Sequence, residues 1–257
     1  MENIPPAENP APTPPPATSL GARLFNILAA PGAVFEEVKN SPPCLANWMV
    51  PIALSILATV LSVFLIFSQE SILRQIREQQ EQAIEKSLKD MPEAQKAQVR
   101  ATVEKFSSPM VLKSIGSVSA VTAGVAWPFV VALFVWLAGR FIFKADFPYM
   151  KTLEVCSLAG MIGVLGAVLG ALLVVGKGTL LASAGPILFV PQIDPTNKVH
   201  LTLAACNVMT LWYIAVLAAG LSKLSNCRFM AAFACLFLPW ATFKFGLIWL
   251  GVGTAIR

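Results

Sequence analysis

Residues 48–68 read WMVPIALSILATVLSVFLIFS, 21 positions without a charge. As a helix rising 1.5 Å per residue, that run is about 31 Å long and matches a hydrocarbon core of about 30 Å. The bilayer is therefore the solvent this chain must satisfy. Further apolar stretches follow at about 114–139, 155–176, 201–221 and 229–252. Together they predict an all-α fold, a polytopic membrane bundle of five transmembrane helices. Composition agrees, with 56% hydrophobic and 13% charged residues against the roughly 25% charged typical of soluble domains.

Around the spans the character changes sharply. Residues 1–19 hold seven prolines and no basic residue, which predicts a disordered, polyproline-leaning tail. In residues 20–47, Leu24, Ile27, Leu28, Val34, Phe35 and Val38 recur at helical spacing opposite Arg23, Asn26, Glu36, Glu37 and Lys39. That pattern predicts interfacial amphipathic helices broken at Pro31. Residues 69–107 are polar but rich in helix formers, with Asp90 and Glu93 in a helix-start arrangement. They predict an extramembrane helical hairpin with a break at Asp90, its arms striped by Ile72, Ile76, Ala83, Ile84 and Leu88 and by Val99, Val103 and Phe106. Residues 179–190 are apolar but interrupted at Gly185 and Pro186, too short to cross, and read as an interfacial or re-entrant piece.

Small residues mark the helices that belong inside the bundle. Gly116, Ala120 and Gly124 recur every fourth residue in the second span, and Gly160, Gly163, Gly166 and Gly170 line one side of the third. Such faces let backbones approach closely, within one chain or between copies of it. Pro128 and Pro239 predict kinks in the second and fifth spans.

Chemistry-bearing residues are few. Lys244 is the ionisable residue well inside a span, where a charge costs at least about 2.5 kcal/mol and marks a functional candidate. Three outcomes are open for it: snorkelling to the interface, pairing with Asp194, or contact with a lipid phosphate or substrate. Asn207 and Thr210 are the polar members of the fourth span, and Asn207 suits a hydrogen bond between helices. The chain has a single histidine, His200, and five cysteines without a C-x-x-C, so neither a zinc site nor a disulfide framework is expected. Catalytic, metal and cofactor sites are expected to be absent, since no nucleotide-binding or hydrolase motif occurs. The net charge of +5 is dispersed along the chain; it suits anionic lipid headgroups rather than nucleic acid. Lys and Arg of the N-terminal segment and the second and fourth loops outnumber those of the third loop and C-terminus, which favours a cytoplasmic N-terminus.

Three stretches carry a family likeness: Pro31, Phe35, Pro42, Trp48 and Pro51 before and into the first span; Phe147-Pro148-Tyr149-Met150-Lys151-Thr152-Leu153-Glu154 entering the third; and Leu211, Trp212 and Gly220-Leu221-Ser222 in the fourth. On these the chain resembles the Yip-type integral membrane proteins, named for interaction with Ypt/Rab GTPases, and specifically their bacterial branch. The resemblance spans roughly residues 22–252. It implies a five-helix bundle in a bacterial cytoplasmic membrane and a non-enzymatic role as a membrane-organising or protein-interaction scaffold. Partners would be the bilayer itself and proteins, or a second copy, met through the glycine-faced helices or the 69–107 hairpin. The chain lacks the Asp-Leu-Tyr-Gly-Pro stretch of the eukaryotic relatives, so their GTPase binding is not carried over. The alternative is a small-solute or lipid transporter or channel with its site near Lys244, which requires a polar cavity reaching that residue.

Overall fold

The computed structural model describes residues 18–88, 106 and 108–251. The tail 1–17, the break expected at Asp90 and the hairpin arm through Val99 and Val103 lie outside the described residues.

Helix α1 (Leu20–Ala29) opens on Ser19, whose hydroxyl accepts from the Ala22 N–H at 3.3 Å. Helix α2 (Pro31–Asn40) opens on Pro31, which suits a first turn because no N–H is needed there. Ile27 on α1 and Val34, Phe35 and Val38 on α2 are buried, so the amphipathic stripe is used against the bundle. Five spans follow by length and composition. The first is α3 (Ala46–Ile66), with Pro51 near its start. After α4 (Glu70–Leu88) comes the second, α5 (Pro109–Leu137), which is capped by Ser108 and runs into a π turn at Ala138–Ile142. The third is divided at Gly160 into α6 (Tyr149–Ala159) and α7 (Met161–Lys177). The short α8 (Lys198–Ala205) precedes the fourth, α9 (Val208–Ser225), and α10 (Phe229–Trp249) is the fifth. The described residues contain helices and no strands, an all-α polytopic bundle.

Helix α6 is the axis of this bundle. It packs on α3, α5, α9 and α2, and every residue from Lys151 to Ala159 is buried. Helix α3 also packs on α5 and α7, while α10 lies at the edge against α9 and α8. The end of the bundle that carries α1 and α2 is called here the near face, and the end from which α4 leaves is the far face.

Three spans are bounded differently from their apolar runs, and the second begins at Pro109 rather than near Ser114. The third begins at Tyr149 rather than near Val155, because Lys151 and Glu154 are buried against other chain segments instead of marking a solvated loop. The fourth begins at Val208 rather than near Leu201. Asn207 has extended backbone and its side-chain oxygen accepts from the Met209 N–H at 2.9 Å, so it starts a new helix instead of continuing α8.

Close approach settles where glycine is required. A Cβ on Gly220 of α9 would collide with Val155 of α6 and stand 3.3 Å from the Phe35 ring of α2, and both neighbours are fully buried. A Cβ on Gly163 meets nothing within 4 Å. Gly220→Ala is expected to destabilise the protein by about 1–3 kcal/mol through overpacking, whereas Gly163→Ala is expected to be neutral or to stabilise by up to about 1 kcal/mol through helix propensity. Thermal unfolding of the two variants in the same detergent measures the difference.

Candidate functional site

The near face is held by a buried network of charges. Helix α6 contributes Lys151 and Glu154, one turn apart, and their ion pair is 3.3 Å long. Glu154 has no exposed surface and Lys151 is 5% exposed. Neither charge is tolerable there without partners, and the chain supplies them. One Glu154 oxygen accepts from the Asn47 amide at 2.6 Å, and the other accepts from the Cys44 N–H at 3.2 Å. Lys151 Nζ also donates to the Val38 carbonyl at 2.7 Å, at the end of α2. From Asn47 the network continues, since its oxygen accepts from Arg23 Nη1 at 3.1 Å. Arg23 in turn pairs with Glu37 at 2.8 Å, and Glu37 also accepts from the Thr18 N–H at 2.7 Å. Burial pushes the Glu37 carboxyl up, but the bonds from Arg23 and Thr18 outweigh it and hold the group below the usual carboxylate range. Two outer links, Glu36 with Lys223 at 3.0 Å and Lys39 with Asn226 at 2.6 Å, strap α2 to the end of α9. The Lys223 ammonium bonded to Glu36 holds that carboxyl below its usual range as well. This arrangement is a lock: its charges bond to one another and to backbone, with no nucleophile among them.

The middle and far half of the bundle are hollower. A cavity of about 450 Å³ lies among α3, α5, α6, α7 and α9, walled by Thr59, Gly124, Ser157, Gly163, Asn207 and Tyr213 among others. A second, of about 500 Å³, lies toward the far face among α8, α9 and α10, with Ser183, Thr210, Trp240 and Lys244 in its wall. Asn207 and Thr210 line both. Both volumes fall within the roughly 300–1,000 Å³ of ligand pockets. The second cavity forms where the helix is interrupted between α8 and α9. Irregular backbone at that depth has to be satisfied by protein. The interrupted segment around Gly185 does this: the Ala184 carbonyl accepts from the Val208 N–H at 2.8 Å, and the Ser183 hydroxyl donates to the Ala204 carbonyl at 2.9 Å.

The residues singled out in the sequence are thus distributed over two places. Lys244 and Asn207 share the wall of the far cavity. The Asn207 oxygen caps its own helix, and Asp194 accepts from Thr196 in the far-face loop, where its N–H donates to His200 Nδ1 at 3.0 Å. A Cβ on Gly116 or Gly124 would stand 2.8 Å from Val63 or 2.5 Å from Ile56, so these two face α3 closely, with Ala120 buried between them. Gly166 approaches Met209 of α9, with 3.4 Å to an added Cβ, while Gly163 and Gly170 have open space within 4 Å. Among the described residues, no group of three or more His, Cys, Asp or Glu side chains is placed to hold a metal. Sequence reasoning did not find the charge network. Arg23 and Glu37 read as the wet side of an amphipathic pair, and Lys151 and Glu154 as residues outside the third span. The available signal was the spacing of three between Lys151 and Glu154, directly ahead of an unbroken apolar run.

Removing one member of the buried pair strands the other. Glu154→Ala is expected to cost about 3–5 kcal/mol, and the double variant Lys151→Met with Glu154→Leu to recover part of that. The remaining deficit belongs to the Asn47 and Cys44 donors left without an acceptor. Glu37→Gln, at a more accessible position, is expected to cost no more than about 1 kcal/mol. Unfolding midpoints of the three variants in detergent, against the native sequence, test this ranking.

A family model for the Yip1 domain matches residues 25–250. Neither a curated protein nor a solved structure matches the chain. The matched region runs from the first helix of the near-face lock to the end of the fifth span, and on that match the chain belongs to the Yip1-domain family of integral membrane proteins.

Proposed function

We propose that this protein is a non-enzymatic membrane-organising or protein-interaction scaffold of the bacterial Yip branch, placed in the cytoplasmic membrane with its N-terminus in the cytoplasm. The observation that carries the reading is that extramembrane elements at both faces are fastened to the bundle by side chains. At the near face the Arg23–Glu37–Asn47–Glu154–Lys151 network fixes α1 and α2, and Phe25 stands 77% exposed on that fixed surface. At the far face, Ile72 of α4 is buried against Val174 and Ala182. Gln75 accepts from the Leu180 N–H at 3.2 Å and donates to Thr179 at 3.3 Å. Elements held in this way present a preorganised surface, which lowers the ordering cost of binding a partner.

Crosslinking and affinity purification from the native membrane, with and without residues 69–107, test the role. Specific proteins recovered with the full chain and lost with the deletion support the scaffold; a homogeneous particle carrying only lipid or solute overturns hairpin-mediated scaffolding. Orientation has its own test in a variant that keeps only Cys44, which is exposed at the near face. A membrane-impermeant maleimide is expected to label it after permeabilisation and not in intact cells.

A second reading, passage of a small solute or lipid past Lys244, is favoured by the far cavity, which has that lysine in its wall. Discontinuous helices beside such a cavity are the arrangement transporters use at binding sites.

A further inference from the structure

We propose that the cavity in the middle of the bundle, among α3, α5, α6, α7 and α9, is a binding site for an uncharged lipid with a free hydroxyl, of the diacylglycerol kind. Its head would be received by a wall that offers the Ser157 hydroxyl and the Gly124 carbonyl. This goes beyond scaffolding. It rests on neither Lys244 nor the far cavity, so it stands or falls apart from the passage reading.

Depth restricts the guest first. Gly163 is at the midpoint of the helical stretch Tyr149–Lys177, and Ala123 and Trp127 are close to the middle of Pro109–Ile142. All three line the cavity and are exposed, Trp127 to 61%. A gap open at that level faces hydrocarbon and is entered sideways from the bilayer, not from water. Whatever occupies it has to carry its own head to the middle of the membrane. A charged head is strongly disfavoured there unless a counter-charge meets it.

The wall supplies no counter-charge. Among the described residues that line this cavity, none is Asp, Glu, Lys or Arg. Its polar side chains are mainly hydroxyls, those of Ser55, Thr59, Ser157, Thr210 and Tyr213. Gly124, Gly160, Gly163 and Gly166 present backbone without side-chain bulk. Such a surface suits an uncharged amphiphile, with a chain along the glycines and a small polar head at the hydroxyls. It does not suit a phospholipid headgroup.

Two polar groups of the wall are left over by the fold. Ser157 is 2% exposed, and its hydroxyl has no hydrogen-bond partner among the described residues. Pro128, inside α5, brings no N–H to the Gly124 carbonyl one turn before it, and Gly124 and Pro128 both line the cavity. Polar groups left unmet in a low-dielectric interior are costly. The serine can give or take a hydrogen bond, whereas the carbonyl only takes one. A free alcohol can serve either group; a hydrocarbon serves neither, and a fully esterified head cannot serve the carbonyl.

The test uses the full chain in nanodiscs of phosphatidylcholine with a trace of one of two probes, diacylglycerol or phosphatidylcholine, each carrying a photoactivatable diazirine in one acyl chain. In the native sequence the diacylglycerol probe is expected to label the segments 52–59, 120–128 and 160–166 about fivefold more than the phosphatidylcholine probe, the factor that one hydrogen bond of about 1 kcal/mol gives. Esterifying the free hydroxyl of the probe is expected to remove that preference, and Ser157→Ala to remove most of it. In lipid-free detergent Ser157→Ala is expected to unfold no earlier than the native sequence, because it deletes a hydroxyl that had no partner. Lost labelling in that variant is then not lost folding. Gly163→Leu, at a wall position where an added Cβ meets nothing within 4 Å, is expected to suppress labelling of the three segments by both probes. Equal labelling by the two probes in the native sequence overturns the proposal. So does a preference that survives Ser157→Ala or esterification of the probe. Label confined to outward positions such as Val118 and Leu172 also overturns it, as the result of a cavity that takes water and no lipid.

Discussion

A carboxylate buried without water must be met on each of its oxygens, and Glu154 is the point from which this membrane protein is organised. Its two oxygens take a lysine from its own helix, an amide from the start of α3 and a backbone N–H from the loop before α3. That loop is where α2 hands over to the first span. Meeting one charge therefore sets where α3 begins, how α6 is rotated and where α2 lies. The buried pair is weak evidence for stability in itself, since well-packed apolar groups often do as well. Its effect is on geometry: misplacing any of these segments leaves a charge stranded, so alternative arrangements are disfavoured strongly.

The same accounting explains the opposite half of the bundle. Between α8 and α9 the helix stops, and its backbone groups are met by the segment around Gly185. In water such a break is trivial, but in a bilayer it persists only where protein covers it or a cavity borders it, and here both hold. The near end is dense and polar with its buried charges paired, while the far half is interrupted and hollow. A membrane protein built in this way has one rigid end for fixing surface helices and another with room for a guest.

Much of this was legible beforehand. Twenty-one uncharged residues in a row at 48–68 leave few choices in a bilayer, and Pro31 marks the boundary between α1 and α2 by a mechanism that acts within one turn. The spacing of Gly116, Ala120 and Gly124 marks a face made for close approach, but only the packing names α3 as its neighbour. Asn207 was harder, because an asparagine inside an apolar run has the same appearance whether it bonds across helices or caps a new one. The decision rests on the Ala184 carbonyl, which comes from a distant part of the chain. Arg23 and Glu37 were misleading for a related reason. Amphipathic spacing tells which side of a helix is polar and is silent on what that side faces, and here it faces Asn47 and Thr18 rather than water.

The sequence by itself determined the class and the number of apolar helices long enough to cross, since each depends on the run of hydropathy along one segment. Only the tertiary structure decided that Arg23, Glu37, Asn47, Lys151 and Glu154 form one network. It also decided that Lys244 lines one cavity, Ser157 another and Asn207 both, and that Gly220 rather than Gly163 is the glycine the packing demands. Those outcomes depend on which segments far apart in the chain meet. In a bundle where nearly every helix is apolar all round, hydrophobicity does not choose the partners; buried charges and close backbone contacts do.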